Sequence, residues 1–219
     1  MSTHKIYLTD ADQLTTTATV REVFTTEEGA HLVRLDRTLF HPSGGGQPAD
    51  QGTLGGQRVL HVAHAPDGDV DHHVEALDGL TPGAEVTLAV AAAPRLLNTR
   101  AHTAGHAIAH AVEALCPDLK AVGGHHWPDQ ARVEFSGPAQ DDYGALQRQL
   151  QARLQADLDA DLPVRVLLGQ DSLRRIAIGD YAPVPCGGTH APSLAALDEV
   201  QVTRVRRKSG RIRVSYAVG

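Results

Sequence analysis

The chain has 219 residues, which exceeds the common size of a single domain and predicts one large or two small domains, and 42% of its residues are hydrophobic, enough to bury a sizeable core. A net charge of −6 excludes a protein covered with cations, although a local basic patch could still bind nucleic acid. No segment resembles a leader peptide or approaches the roughly 20 apolar residues of a membrane span, so we expect a soluble cytoplasmic protein without a membrane partner. The two cysteines cannot build a disulfide framework and predict reduced thiols.

The first 92 residues contain short segments rich in Val, Leu and Thr that are separated by Gly, Pro and Asp turns. This pattern predicts a small antiparallel barrel or sandwich. After "AAAP" the hydrophobic period changes to about 3.6, and Pro94 suits the first turn of a helix that ends near Leu115. We therefore expect two domains, 1–92 and 93–219.

The second domain mixes the patterns of helices and strands. Strands are expected at "ARVEFS" and "LPVRVLLG", and a helix is expected at "YGALQRQLQARLQADLDA". The segment "EVQVTRVRRKSGRIRVSYAV" predicts a hairpin that turns at Ser209 and Gly210.

The helix that starts near Pro94 carries two histidines at a spacing that suits a metal. His102 and His106 are four residues apart, so their imidazoles stack one turn above the other and can reach a single ion. A solvated polar face is the alternative, because Arg95, Thr99 and Glu113 share that side; His110 is assigned to it. The opposite face should pack on the core, and it contains Leu97, Ala101, Ala104, Ile108, Val112 and Leu115.

The segment "PCGGTH" offers a second pair of ligands. Cys186 and His190 flank two glycines, which let the backbone bring a thiolate and an imidazole to one point. A soft thiolate together with imidazoles is a typical zinc set. The alternative is a small buried cysteine and a hydrogen-bonded loop histidine.

Three separated motifs carry a family resemblance. "RAHTAGH", "PCGGTH" and "FHPSGGGQPADQGTL" together resemble the editing domain of alanyl-tRNA synthetase, and most of all its freestanding relatives, the AlaX family of trans-editing deacylases. The likeness covers nearly the whole chain, since "GGHHWPDQARVEFSG" and the closing "GRIRVSY" also stand in the family's order. One departure is Gly105, where the synthetase form often has Thr.

The resemblance implies a fold and a metal site. The expected fold is an N-terminal Gly-rich β-barrel followed by a two-layer α+β editing domain of the type common to threonyl- and alanyl-tRNA synthetases. Zinc would be held by the residues that match the family motif, namely His102, His106, Cys186 and His190. Four protein ligands normally indicate a structural zinc, so a catalytic role and a structural role both stay open.

The resemblance also implies a function. The chain would be a zinc-dependent aminoacyl-tRNA deacylase, a carboxylic ester hydrolase that acts in trans on mischarged tRNA-Ala, with Ser-tRNA-Ala as main substrate and Gly-tRNA-Ala as a second. No ATP-binding signature is present, so no nucleotide cofactor is expected. The alternatives are a Ser-tRNA-Thr deacylase of the same fold and a non-catalytic tRNA-binding module that zinc staples together.

The motif "GGGQP" is expected in the same site. Its glycines permit a close backbone approach to a ligand, and an amide can donate and accept hydrogen bonds. On the family likeness, Gly45, Gly46 and Gln47 should bind substrate, and Gln47 and Cys186 should be catalytic. An ordinary glycine-rich turn is the alternative.

The terminal hairpin carries a cluster of cations in an otherwise acidic protein. This cluster predicts a surface that contacts tRNA phosphates, while a charged, aggregation-resistant sheet edge is the alternative. The cluster comprises Arg204, Arg206, Arg207, Lys208, Arg211 and Arg213. Nearby, "HHW" could stack on a terminal base, although we expect Trp127 in the core.

Overall fold

The computed structural model describes residues 2–169, 171 and 173–219. They form two compact units, one that reaches Gly44 and resumes over Pro48–Leu96, and one that comprises Gly45–Gln47 and Leu97–Gly219. Within the described part of the chain, no helix has the length and apolarity needed to cross a membrane. The domain limits 1–92 and 93–219 stay a prediction.

The first unit is a closed antiparallel barrel whose strands run in the order β2-β3-β7-β6-β5-β8. Inward side chains alternate with outward ones, as in β7, where Val70, His72 and Val74 are buried. The barrel is therefore confirmed. Its strands, with two short pieces that pair beside it, are β1 His4–Lys5, β2 Thr15–Thr25, β3 His31–Leu35, β4 Arg37–Thr38, β5 Gly52–Leu54, β6 Gln57–His64, β7 Val70–Val74 and β8 Glu85–Val90.

A buried ion pair lies in this unit. The Asp50 carboxylate accepts hydrogen bonds from the His41 backbone N–H at 2.6 Å and from Arg95 Nε at 3.0 Å. The guanidinium also donates to the backbone oxygens of Leu39, at 2.6 Å, and Ala11, at 2.7 Å. Both charged side chains are almost completely buried, so each relies on these partners instead of water.

The second unit packs two helices on antiparallel sheets. One sheet has the order β14-β15-β10-β9 and the other β11-β12-β13. The shared core combines helix residues such as Ile108 and Leu150 with strand residues such as Phe135 and Val214. Helix α1 comprises Ala92–Leu115, and its part from Leu97 onwards belongs to this unit. The other elements are β9 Lys120–His125, β10 Arg132–Ser136, α2 Tyr143–Asp159, β11 Val164–Leu168, β12 Arg174–Ile178, β13 Val184–Pro185, β14 Val200–Lys208 and β15 Arg211–Val218.

The α+β class is confirmed, and the predicted elements are present. Helix α2 begins after Asp142, whose carboxylate accepts from the Ala145 N–H, as expected of an N-cap. The final hairpin turns at Ser209 and Gly210 with φ of 50° and 79°, the left-handed values of a type I′ turn. Strands β9, β12 and β13 were not predicted.

Candidate metal centre

Helix α1 buries polar side chains as well as apolar ones. Thr99, His102 and Thr103 are at most 5% exposed, on the side opposite the buried Ala104 and Ile108. Thr103 Oγ1 donates to the Thr99 carbonyl oxygen at 2.8 Å and accepts from the Ala191 N–H at 3.0 Å. The solvated-face alternative is therefore wrong for this part of the helix.

The four predicted ligands come together at one point. The Nε2 atoms of His102 and His106 are 3.2 Å apart, and they lie 3.1 and 3.3 Å from Cys186 Sγ. With the nearest nitrogen of His190 included, all four ligand atoms lie within 4.8 Å of one another. Within the described part of the chain, no other group of three or more His, Cys, Asp or Glu side chains lies close enough together to hold a metal ion.

The donor set and its spacing fit zinc. In a tetrahedral site, Zn–N bonds of about 2.0–2.1 Å and Zn–S bonds of about 2.3 Å put neighbouring ligand atoms roughly 3.3–3.6 Å apart. The three distances above approach that range. Imidazole and thiolate are also the ligands that zinc prefers over the oxygen donors of magnesium or calcium.

The loop that carries Cys186 and His190 is fixed by its neighbours. Cys186 N–H donates to the Arg174 carbonyl oxygen at 3.2 Å, and Arg174 Nη1 returns a bond to the Cys186 carbonyl oxygen at 2.6 Å. A side chain at Gly188 could not be accommodated, because its Cβ would lie 2.4 Å from His102 Cε1. Glycine is needed here so that the loop can approach the helix.

Gln47 holds the same loop. Its Nε2 donates to Thr189 Oγ1 at 2.9 Å, and its Oε1 accepts from the Thr189 N–H at 3.1 Å. Thr189 Oγ1 also lies 2.7 Å from Thr99 Oγ1. Gln47 is only 1% exposed, so its amide meets Thr189 and not open solvent. Gly45 and Gly46 precede it with φ of 57° and 80°, which L side chains rarely adopt.

A cavity of about 300 Å³ opens beside the cluster. His106 and His126 supply its polar side chains. The remaining lining is small or apolar and consists of Gly105, Ala109, Ala121, Gly123, Gly124, Val133, Val184 and Pro185. From the sequence, His126 was considered only as part of "HHW", a segment that could stack on a terminal base, and it was not placed beside the metal ligands.

Burial disfavours the charged forms of His106, His126 and Cys186. It lowers the pKa of His106 to about 3, with a smaller contribution from His126, and the pKa of His126 to about 4. Burial raises the pKa of the Cys186 thiol, although the Gly188 N–H and Arg174 act in the opposite direction. A metal that binds here would therefore displace the thiol proton.

Comparisons with known proteins show which proteins this chain resembles. No family model matches the chain. It is 27% identical over 209 residues to the alanyl-tRNA editing protein AlaX-M of Pyrococcus horikoshii, which covers 94% of this chain and 92% of that protein. It is 28% identical over 211 residues to AlaX-L of the same organism, but spans 51% of that protein. The resemblance to the AlaX family is confirmed.

Full-length ligases contain a similar region. The chain is 29% identical over 219 residues to the alanine–tRNA ligase of Methanopyrus kandleri, which covers 87% of this chain and 23% of the ligase. The chain thus spans almost all of AlaX-M, about half of AlaX-L and less than a quarter of this ligase.

Two of the six cations on the terminal hairpin of this AlaX-like chain form ion pairs with one carboxylate. Glu134 on β10 forms an ion pair with Arg213 at 2.6 Å and another with Arg211 at 3.1 Å. Both contacts lower the pKa of the Glu134 carboxyl, and the hydrogen bond from Arg213 has the larger effect. On the opposite face, Ile212, Val214 and Tyr216 are buried. Elsewhere in the described chain, no carboxylate forms an ion pair with the other four cations, Arg204, Arg206, Arg207 and Lys208.

Two other expectations have clear outcomes. Trp127 is 46% exposed and stacks on His125 with ring centroids 5.8 Å apart, so the expectation of a core position is wrong. The reason is local: the side chain follows edge strand β9, whose outer residues face solvent. His110 lies outside the cluster, in line with its exclusion from the ligand set, and its ring centroid is 5.0 Å from that of Tyr181. It is only 8% exposed, however, so its assignment to a solvated face is wrong.

Proposed function

We propose that the protein is a zinc-dependent aminoacyl-tRNA deacylase that removes serine, and secondarily glycine, from mischarged tRNA-Ala in trans. The convergence of His102, His106, Cys186 and His190 carries this proposal. The similarity to AlaX proteins supplies the substrate class, since their names state alanyl-tRNA editing. The substrate would be met in the cytoplasm, as predicted.

The reaction hydrolyses the ester between the amino acid and the 3′-terminal ribose of tRNA. It needs a positioned water and stabilisation of the charge that develops on the ester oxygen. When bound, zinc supplies Lewis acidity, either at the ester carbonyl or at a water whose pKa falls towards about 7. The small lining of the adjacent cavity supports a small aminoacyl group such as serine or glycine.

The residues around the cluster would act by positioning it. Cys186 and the three histidines would hold the ion, and the backbone at Gly45 and Gly46 would border the substrate, as the family likeness suggests. Because the Gln47 amide is engaged by Thr189, we assign Gln47 to holding the ligand loop and not to direct contact with substrate.

The deciding experiment is a single-turnover deacylation assay on Ser-tRNA-Ala, Ala-tRNA-Ala and Ser-tRNA-Thr with the zinc-loaded protein. An editing enzyme must spare the correct product, so Ser-tRNA-Ala should be hydrolysed at least about tenfold faster than Ala-tRNA-Ala. Equal rates on these two substrates contradict editing of tRNA-Ala. Preference for Ser-tRNA-Thr would favour the threonyl alternative instead.

One observation favours a second candidate, a tRNA-binding module in which zinc is structural. All four ligand atoms come from the protein, which leaves no open position in a tetrahedral site. This candidate binds tRNA and zinc but does not deacylate any of the three substrates. The same assay, combined with a tRNA-binding measurement, separates the two functions.

The hairpin cations that form no ion pair with a described carboxylate should contact tRNA phosphates. Replacing Arg204, Arg206 and Arg207 together with alanine should weaken tRNA binding and reduce the slope of log K against log salt by about one unit for each phosphate that is no longer neutralised. Zinc content should not change. Filter binding at several salt concentrations measures the affinity and the slope, and elemental analysis measures the zinc.

A matched triple variant controls for net charge. Arg21, Arg37 and Arg58 on the barrel pair with Asp69, Asp36 and Glu75, and their replacement removes the same three charges. If this triple variant flattens the salt slope as much as the hairpin variant does, the hairpin is not the phosphate surface.

A further inference from the structure

The His126 ring lies beside the cluster of metal ligands, in space that three glycines leave free. Its ring centroid is 4.7 Å from that of His102, and the residue is only 6% exposed. A Cβ at Gly105 would lie 2.2 Å from its Cε1, one at Gly124 would lie 2.3 Å from its Nε2, and one at Gly46 would lie 3.1 Å from its Cδ2. Glycine at these positions therefore makes room for the ring, which gives the departure at Gly105 a physical reason.

The hydrogen bonds of His126 determine which ring nitrogen carries the proton. Tyr216 Oη donates its only proton to the Ala101 carbonyl oxygen at 2.7 Å. His126 Nδ1 lies 2.6 Å from the same phenol oxygen, which can then only accept, so Nδ1 must be the donor. In the neutral imidazole this leaves Nε2 as an acceptor.

That acceptor is available to a ligand. Among the described residues, none donates a hydrogen bond to His126 Nε2, and the residue lines the cavity beside His106. The rest of the lining offers small apolar groups such as Ala109, Ala121 and Val133. A bound group with one donor would complete the polar contacts of this cavity.

We infer that His126 Nε2 accepts a hydrogen bond from the side-chain hydroxyl of the seryl ester and so distinguishes serine from alanine. This inference rests on the proposed deacylase function. A hydroxyl needs a single acceptor, whereas a buried ammonium needs several acceptors or a carboxylate, and no Asp or Glu lines the cavity. An alanyl group would leave Nε2 unpaired, and such an unpaired group is what lets polar sites reject analogues that lack a hydroxyl.

Two substitutions at position 126 distinguish the role of the Nδ1 donor from that of the Nε2 acceptor. His126→Asn retains a donor towards Tyr216 but removes the Nε2 acceptor, while His126→Gln retains an acceptor near the position of Nε2. We expect His126→Asn to lower the single-turnover rate on Ser-tRNA-Ala by roughly tenfold or more and to leave the rate on Ala-tRNA-Ala nearly unchanged. His126→Gln should preserve more of the serine-over-alanine ratio than His126→Asn does.

The controls distinguish this inference from the proposed function. If the zinc-loaded wild type does not hydrolyse Ser-tRNA-Ala, the proposed function fails. If the wild type is active and selective but His126→Asn keeps its ratio, or loses activity equally on both substrates, the hydroxyl contact is wrong. Should His126→Asn not fold, His126→Leu decides: it removes both ring nitrogens and with them the Nε2 acceptor, and a serine-over-alanine ratio that does not fall overturns the inference.

Discussion

Replacing Cys186 with alanine should lower the zinc content from about one ion per chain to nearly none and should abolish deacylation. The thiolate is the charged ligand of the set, and three neutral imidazoles bind zinc far more weakly without it. A decrease of at least about a hundredfold in the single-turnover rate is expected, since even the removal of a partner to a metal ligand costs about 10–100-fold. Elemental analysis and the assay on Ser-tRNA-Ala measure the two effects.

Cys116 provides the matched control. It is a second free, partly buried thiol, and its Sγ lies 3.7 Å from Gln140 Oε1, outside the cluster. Cys116→Ala should retain zinc and activity. Full activity in rigorously metal-free wild type would exclude a catalytic zinc, and a Cys186→Ala chain that loses its circular dichroism signal would indicate that zinc mainly maintains the fold.

Replacing Asp50 with alanine should destabilise the barrel by about 3–5 kcal/mol, because it leaves the Arg95 guanidinium buried without a counter-charge. The His41 backbone N–H would lose its acceptor at the same time. Urea unfolding followed by far-ultraviolet circular dichroism measures the shift. Trp127, the single tryptophan, lies in the second unit, so its fluorescence reports on that unit separately.

An exposed ion pair on the same barrel gives the comparison. Glu75 pairs with Arg58 at 3.2 Å, and both side chains are more than half exposed. Glu75→Ala should therefore change the free energy of unfolding by about 1 kcal/mol or less. If Asp50→Ala lowers the free energy of unfolding no more than Glu75→Ala does, the buried ion pair does not stabilise the barrel.

Features with a short sequence range could be predicted. The four-residue spacing of His102 and His106 places two ligands on one side of α1 whatever surrounds the helix. The Ser209-Gly210 turn is similarly local, because its left-handed φ values need residues that tolerate them. The joining of this pair with Cys186 was inferred from the preference of zinc for a thiolate together with imidazoles and from the family likeness, since no local rule relates residues 80 positions apart.

Other features depend on tertiary packing that no local pattern records. Strand β9 has the sequence "KAVGGH", and its two glycines obscure the alternation that identifies a strand. Gly124 is needed because the His126 ring occupies the space that its side chain would fill, whereas a side chain at Gly123 would meet no atom within 4 Å. Likewise, Arg95 and Thr99 read as solvated helix positions, but Asp50 and Thr189 give them buried partners.

The hydrogen bonds between Gln47 and Thr189 also affect the order in which parts of the chain fold. They join residues 142 positions apart, and Gly45–Gln47 belongs to the second unit although the chain on both sides of it belongs to the first. During synthesis, Gln47 leaves the ribosome long before Thr189 exists, and the entropy of closing so long a loop opposes early contact. The ligand loop should therefore be among the last parts of the protein to reach its native conformation, after the barrel strands are complete.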